Sequence, residues 1–193
     1  IALGIAVAKV FELENSSLEQ AISNNLVFSK SRMRILKGKN NSIIIDDTYN
    51  SSPNAALNSI NTVSSVLCRG KKIAIFGPMK ELGQNTKVAH IQIGQMLAKN
   101  FSVIILVGMY SEYFLEGIRN ENFNLDNVFI FSAPQEVIEY LQNNNLISSS
   151  DIVLAKGSQS ARLEKIVVEL ISKDEDKNNI CRQEIQCKKD SVV

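Results

Sequence analysis

The stretch Ile43–Ile60, "IIIDDTYNSSPNAALNSI", decides how this chain is read. Three isoleucines run without a break into Asp46 and Asp47. Tyr49 and Asn50 follow, then Ser51-Ser52-Pro53, then residues spaced as a helix. A continuous run of β-branched apolar residues is the pattern of a strand buried on both faces. Pro53 presets the backbone for a first helical turn, and Ser51 or Ser52 suits the cap before it. Acids at the carboxyl end of such a strand cost little if they face water or a ligand, and much inside a core. The pair reads either as part of a site or as a solvated turn.

Working outward, the same alternation recurs. Strands are expected over Ile43–Asp46, Lys72–Phe76, Val103–Val107, Val128–Phe131 and Ile152–Ala155. Helices are expected over Pro53–Leu67, Thr86–Lys99, Ser111–Arg119, Pro134–Asn143 and Ala161–Ser172. Runs such as "VIILV" (Val103–Val107) are continuous rather than alternating, which belongs to parallel strands covered by helices. The expected fold is therefore α/β: a doubly wound, mostly parallel sheet with helices on both faces. Ligands bind such sheets beyond the carboxyl ends of the strands. Asp46 and Asp47 lie there, as do Gly77 after "IAIF" and Lys156-Gly157-Ser158 after "IVLA".

Upstream, Ile1–Leu13 and Ser17–Asn24 read as two helices, and "SLEQ" (Ser17–Gln20) has capping-box spacing. "SKSRMRIL" reads as a linker leading into an extended segment, with a turn at "KGKNN". The tail from Lys173 is charged, Asn-rich and without period, so it is expected to be frayed or disordered. An abrupt, non-Met start at Ile1 suggests a sequence that begins inside a longer protein.

Composition narrows the function classes. Of 193 residues, 45% are hydrophobic and 21% charged, with a net charge of +1. Near-neutral charge offers no electrostatic case for nucleic acid or an anionic membrane. "IALGIAVAKVF" is too short to span a bilayer and lacks a basic flank before it. Cys68, Cys181 and Cys187 show no framework spacing, and His90 is the sole histidine, so no metal site is expected. A reducing, cytoplasmic setting is the default.

Three stretches carry candidate chemistry. In the first, a carboxylate at Asp46 or Asp47 suits a pair of ribose hydroxyls. In the second, "IAIFGPMKELG", Gly77 allows close approach of a ligand or a helix. Its spacing to Gly83 matches neither G-x-G-x-x-G nor a Walker A loop, so an ordinary strand-to-helix turn stands beside a phosphate cradle. In the third, "VLAKGSQSARLEKIV", Lys156-Gly157-Ser158 leads to a helix start with Arg162 nearby, which suits an anion. The alternative is Ser158 or Ser160 as a cap, with Lys156 solvated. His90 reads as a packing residue, and Arg32, by itself, as a solvated base.

In order and spacing these segments resemble the Mur ligases, ATP-dependent amide-forming enzymes of peptidoglycan synthesis. The pattern is that of the branch that adds D-alanyl-D-alanine. Its D-S-Y-N-A-N-P segment corresponds to Asp47-Thr48-Tyr49-Asn50-Ser51-Ser52-Pro53. Its G-D-M-x-E-L-G corresponds to Gly77-Pro78-Met79-Lys80-Glu81-Leu82-Gly83, followed by His90 and Gly94. Its V-K-G-S corresponds to Ala155-Lys156-Gly157-Ser158, followed by Arg162, and its hinge Gly-Arg to Ser31-Arg32. The chain departs from the pattern at Ser31 (for Gly), Ser52 (for Asn), Pro78 (for Asp) and Gln159 (for Arg).

The resemblance covers residues 1–172 and implies a division. Residues 1–28 would close a central ATP-binding domain, 29–41 form a hinge, 42–172 form a Rossmann-like C-terminal domain, and 173–193 trail as a tail. It implies ATP, with Mg2+ held mainly by the central domain. It implies UDP-MurNAc-tripeptide and D-alanyl-D-alanine as partners, no nucleic acid or membrane, and a monomer. Arg32, Asp47, Tyr49 and Asn50 would meet the nucleotide; Lys156, Ser158 and Arg162 would meet the dipeptide. No catalytic residue or metal ligand is implied within this stretch. Two rivals stand beside it: a non-catalytic Rossmann-like binding module, and a ligase of the same family with another amine.

Overall fold

The apolar runs become one six-stranded sheet. In the computed structural model, which describes residues 2–25 and 29–180, the strands are β1 (Arg34–Lys37), β2 (Ile43–Asp47), β3 (Lys72–Phe76), β4 (Val103–Val107), β5 (Val128–Phe131) and β6 (Ile152–Lys156). Their spatial order is β1-β2-β6-β3-β4-β5. All neighbours pair in parallel except β1, which runs antiparallel to β2 with Arg34 opposite Asp46 and Lys37 opposite Ile43. The helices are α1 (Ala2–Val10), α2 (Asn15–Asn25), α3 (Pro53–Ser65), α4 (Thr86–Asn100), α5 (Ser111–Arg119), α6 (Pro134–Asn143) and α7 (Glu164–Leu170).

Period-2 alternation splits the strands between two apolar cores. Ile45, Ala74, Phe76, Ile104, Leu106 and Leu154 pack against α3, α4 and α5 through residues such as Ile60, Ile93 and Phe114. Ile44, Ile73, Ile75, Ile105 and Val153 face the opposite way, against Val137 of α6 and Ile166 and Val167 of α7. Each fully buried aliphatic side chain contributes about 1.5–3 kcal/mol, which is why uninterrupted isoleucine and valine runs are tolerated only here. The chain winds from β2 through β5 in one direction, and α6 then returns it to place β6 between β2 and β3. Loops after β2 and β3 thus leave toward one face and the loop after β6 toward the other. A crevice opens between them at the carboxyl edge.

Four expectations need correcting. The segment expected to lead out of a linker is the edge strand β1, so the sheet reaches into residues 29–41. The last helix is shorter than Ala161–Ser172: a 3-10 turn covers Gln159–Ala161, Arg162 adopts a left-handed backbone (φ 55°), and α7 begins at Glu164. A left-handed residue cannot continue a right-handed helix. Helix α2 begins at Asn15, so Ser17 lies inside it rather than capping it. The tail is ordered for part of its length. Asp174–Asn179 forms 3-10 turns and Ile180 is buried. Cys181 and Cys187, and the rest of the expected tail, lie outside the described residues.

Two features fix how α4 sits. Its Gly94 meets the Phe114 carbonyl of α5, where an added Cβ would come within 2.1 Å of the oxygen, and Gly117 of α5 meets the Ile91 carbonyl equally closely, at 2.0 Å. His90 is fully buried. Its Nδ1 lies 2.6 Å from the Thr86 carbonyl and its Nε2 accepts from the Met79 amide at 3.0 Å. This is the neutral ring with its proton on Nδ1. It packs edge-on against Phe114 and Tyr110, at 4.7 and 5.0 Å between centroids. The packing role expected for His90 is what the geometry shows, and through Met79 it pins the loop after β3.

Gly94→Ala forces two helix backbones apart and should cost about 2–3 kcal/mol, read as a lower urea midpoint at unchanged slope. Burial lowers the His90 pKa from the usual 6.5, with the Thr86 carbonyl opposing. The unfolded chain then binds this proton more readily than the native one. The contribution of neutral His90 is therefore full above about pH 6.5 and is lost as pH falls toward its depressed native value. Melting temperature should drop between pH 7.5 and 5.5, and His90→Gln should flatten that drop.

Candidate functional site

The two acids of the opening stretch point to opposite faces. Asp47 shares a side with Ile45, toward α3, and Asp46 with Ile44. Neither is a solvated strand tip: Asp46 is 0% and Asp47 7% exposed. Each is covered and hydrogen-bonded instead, as burial of a polar group requires.

Asp46 accepts from Ser31 Oγ (2.7 Å), Thr48 Oγ1 (2.6 Å) and the Thr48 amide (3.2 Å). Burial pushes its carboxyl pKa above the usual range, while the Thr48 and Ser31 hydrogen bonds pull it back and nearby Asp47 adds to the rise. It is a structural acid. Asp47 stands opposite Lys156 in the parallel register. Its Oδ2 accepts from Lys156 Nζ (2.5 Å) and Ser59 Oγ (2.6 Å), and its Oδ1 from the Met33 amide (3.1 Å). Lys156 Nζ also donates to the Asn50 carbonyl at 3.1 Å, and the residue is only 1% exposed. One charge alone would be costly at this depth, and the pair with its extra hydrogen bonds is not.

The acids also hold the segment before β1. Ser31 and Met33 have left-handed backbones (φ 53° and 49°), where side chains other than glycine are strained. The Ser31 carbonyl accepts from the Tyr49 amide at 3.0 Å, and the Arg32 guanidinium lies 4.2 Å from the centre of the Tyr49 ring. Ser31 stands where the resembled hinge has glycine, and its hydroxyl supplies an anchor that glycine lacks.

Three of the clefts along the carboxyl edge hold the residues expected at a ligand. The first, of about 400 Å³, is lined by Arg32, Asp47, Tyr49, Asn50 and Lys156, with Ser59 and Thr62 of α3. The second, of about 480 Å³, shares Tyr49, Asn50, Ser51 and Ser52 with it and adds Lys80, Glu81, Leu82, Ser158, Gln159 and Ser160. The third, of about 390 Å³, lies beyond the loops after β3 and β6 and holds Arg162, Lys80 and Lys165. All four residues expected at a nucleotide thus share one cleft. The three expected at a dipeptide do not. Lys156 lines the first cleft, Ser158 the second and Arg162 the third. The cause is local. Lys156 shares a side with Leu154, toward α3, whereas the left-handed Arg162 turns away and its Nε meets Glu164 Oε1 at 2.7 Å.

Gly77 and Gly157 serve each other. A Cβ on Gly157 would come within 3.1 Å of the Gly77 Cα, and the loops exchange Gly77 N–H to the Lys156 carbonyl and Ser158 N–H to the Pro78 carbonyl, both at 2.9 Å. Ser158 leads into a 3-10 turn rather than a helix start, so the anion argument made from a helix N-terminus does not apply there. Ser52 is the cap of α3, its Oγ accepting from the Ala55 amide at 3.4 Å. Sequence reasoning missed Ser59 and Lys80. It also missed Ser51 as a site residue: its hydroxyl is buried in the wall shared by two clefts and has no hydrogen-bond partner among the described residues. Only Ser51 and Lys80 carried a signal, since both sit in the motifs that match the family pattern.

Among the described residues no group of three His, Cys, Asp or Glu side chains is placed to hold a metal ion, and no helix is long and apolar enough to cross a membrane. The sequence model of the family described as "Mur ligase, glutamate ligase domain" matches residues 31–159. The chain is 31% identical over 138 residues to the UDP-N-acetylmuramoyl-tripeptide--D-alanyl-D-alanine ligase of Buchnera aphidicola subsp. Acyrthosiphon pisum, covering 71% of this chain and 28% of that protein. To the ligase of the same name from Bacillus subtilis it is 28% identical over 141 residues, covering 72% and 30%. The chain thus spans about 30% of the length of these relatives. Among solved structures, MurF from Acinetobacter baumannii superposes with a TM-score of 0.73 at 23% identity, over 88% of this chain and 36% of that one. MurF ligase from Thermotoga maritima in complex with ADP gives 0.67 at 24% identity, over 86% and 35%. These likenesses establish the fold, and the family match, covering most of the sheet and the first two clefts, establishes the rest: the chain belongs to the Mur ligase family.

Proposed function

We propose that the chain is the C-terminal part of an ATP-dependent, cytoplasmic and monomeric ligase of peptidoglycan synthesis. The ligase adds D-alanyl-D-alanine to UDP-MurNAc-tripeptide, and so serves cell shape and division. The observation that carries this reading is the single cleft gathering Arg32, Asp47, Tyr49 and Asn50, in a chain whose curated relatives bear that name. The reaction activates a carboxylate as an acyl phosphate with ATP, and the amine of the dipeptide displaces phosphate. The protein's part is positioning and charge stabilisation.

The first cleft fits a nucleoside. A carboxylate has about four acceptor positions, and Asp47 has three donors on it, which leaves capacity for a ribose hydroxyl. The stacked Arg32–Tyr49 pair adds a flat cationic wall beside it. Mg2+ would come with the ATP phosphates, held mainly by the central domain. The dipeptide takes the second cleft, where Ser158 and the Ser51 hydroxyl, unpartnered among the described residues, can meet a carboxylate, with the Lys80 ammonium at the border of the third cleft, 2.9 Å from Met109 Sδ. Arg162 stands at its outer side, joined through Ser160, which lines both neighbouring clefts. The departures at Ser52 and Pro78 do not favour a non-catalytic module. Ser52 still caps α3 and Pro78 still supplies the carbonyl that binds the loop after β6.

The complete enzyme should release phosphate from ATP only when both UDP-MurNAc-tripeptide and D-alanyl-D-alanine are present, and this chain alone should ligate nothing. Phosphate release indifferent to the dipeptide, or ligation by the isolated chain, would overturn the proposal. Asp47→Ala in the complete enzyme should raise the KM for ATP about 10- to 100-fold, the scale of one charged hydrogen bond. An unchanged KM in a folded variant would remove Asp47 from the site.

A further inference from the structure

We infer that Lys156 is a positioning residue of the nucleotide cleft, acting through Asp47 and Asn50 rather than touching either substrate. This rests on the nucleotide reading of that cleft. The side chain is 2% exposed, so its ammonium is closed to a free carboxylate or phosphate. Two of its three protons are engaged, by Asp47 Oδ2 at 2.5 Å and by the Asn50 carbonyl at 3.1 Å. Those acceptors belong to two residues that line the cleft, on either side of Tyr49. One ammonium therefore sets the end of β2 and the turn after it together.

The pair also stands where an apolar substitute would leave the fold possible. Replacing a buried ion pair with well-packed apolar residues is often neutral for stability. The pair here lies under a cleft, with the Ser59 hydroxyl and Met33 amide completing the shell of the same carboxylate. Without the ammonium, Asp47 would keep the Ser59 and Met33 bonds but lose its charged partner, and the Asn50 turn would lose its anchor to the same carboxylate. Ser158 and Arg162 sit in other clefts, and the second cleft meets Lys156 only through the Asn50 turn, whereas the nucleotide cleft meets it through both Asp47 and Asn50.

The test uses the complete ligase. Lys156→Met should raise the KM for ATP at least tenfold, and by a larger factor than the KM for D-alanyl-D-alanine. Lys156→Arg, which keeps a cation, should recover most of the loss. In a double-mutant cycle, Lys156→Met with Asp47→Asn should be no worse for ATP than the worse single variant, within about twofold, because the two act as one unit. This neutral pair leaves no lone buried charge, and together with Lys156→Arg it decides the matter if Lys156→Met fails to fold. Additive effects on ATP, or a rise in the dipeptide KM instead, would overturn the inference. Wild-type phosphate release that ignores the dipeptide would overturn the ligase reading, while displacement of a fluorescent ADP from the same variants would still report on Lys156.

Discussion

A buried ammonium and a buried carboxylate, side by side at the ends of two parallel strands, hold the functional edge of this domain together. Lys156 and Asp47 are opposite partners in the register of β6 and β2, and their side chains point to the same face. Coulomb attraction grows as water is excluded, but so does the cost of desolvation, and the balance turns on the remaining hydrogen bonds. Here the carboxylate takes three donors and the ammonium a second acceptor. The result is a densely bonded point under a cleft whose outer rim is loop.

From that point the order spreads into the segment before the sheet. Met33 donates to Asp47, Ser31 to Asp46, and Tyr49 back to the Ser31 carbonyl. Two left-handed residues are held in place by these bonds, each of which offsets part of the strain. The consequence reaches the first cleft. Arg32 comes from the segment before β1 and Tyr49 from the loop after β2, yet both are tied to the same acids, so their contact stays in register with the cleft. A surface already formed loses less freedom when a ligand is bound.

The three clefts are ordered along the edge by topology. Because β6 is inserted between β2 and β3, its loop leaves to the face opposite theirs and divides the edge. Residues as close in sequence as Ser158 and Arg162 fall on different sides of that divide. The glycines at 77 and 157 let the two loops touch.

The strands and most helices were legible in the sequence because their signals are local. β3, β4, β5, α5 and α6 fall on their expected bounds. Continuous apolar runs can mean little else in a chain punctuated by Pro53, Gly77 and Pro134. The motif order likewise named the family and gathered Arg32, Asp47, Tyr49 and Asn50 as candidates, and the structure sets those four in one cleft. What sequence could not decide was which way each side chain faces once β6 has been inserted, because that depends on pairing between segments far apart in the chain. Only the tertiary structure made Asp46 a fully buried structural acid, turned Lys156 from a dipeptide candidate into the partner of Asp47, recruited Ser59 from α3, and parted Ser158 from Arg162. Burial and charge pairing are properties of contacts between distant segments, and no local pattern encodes them.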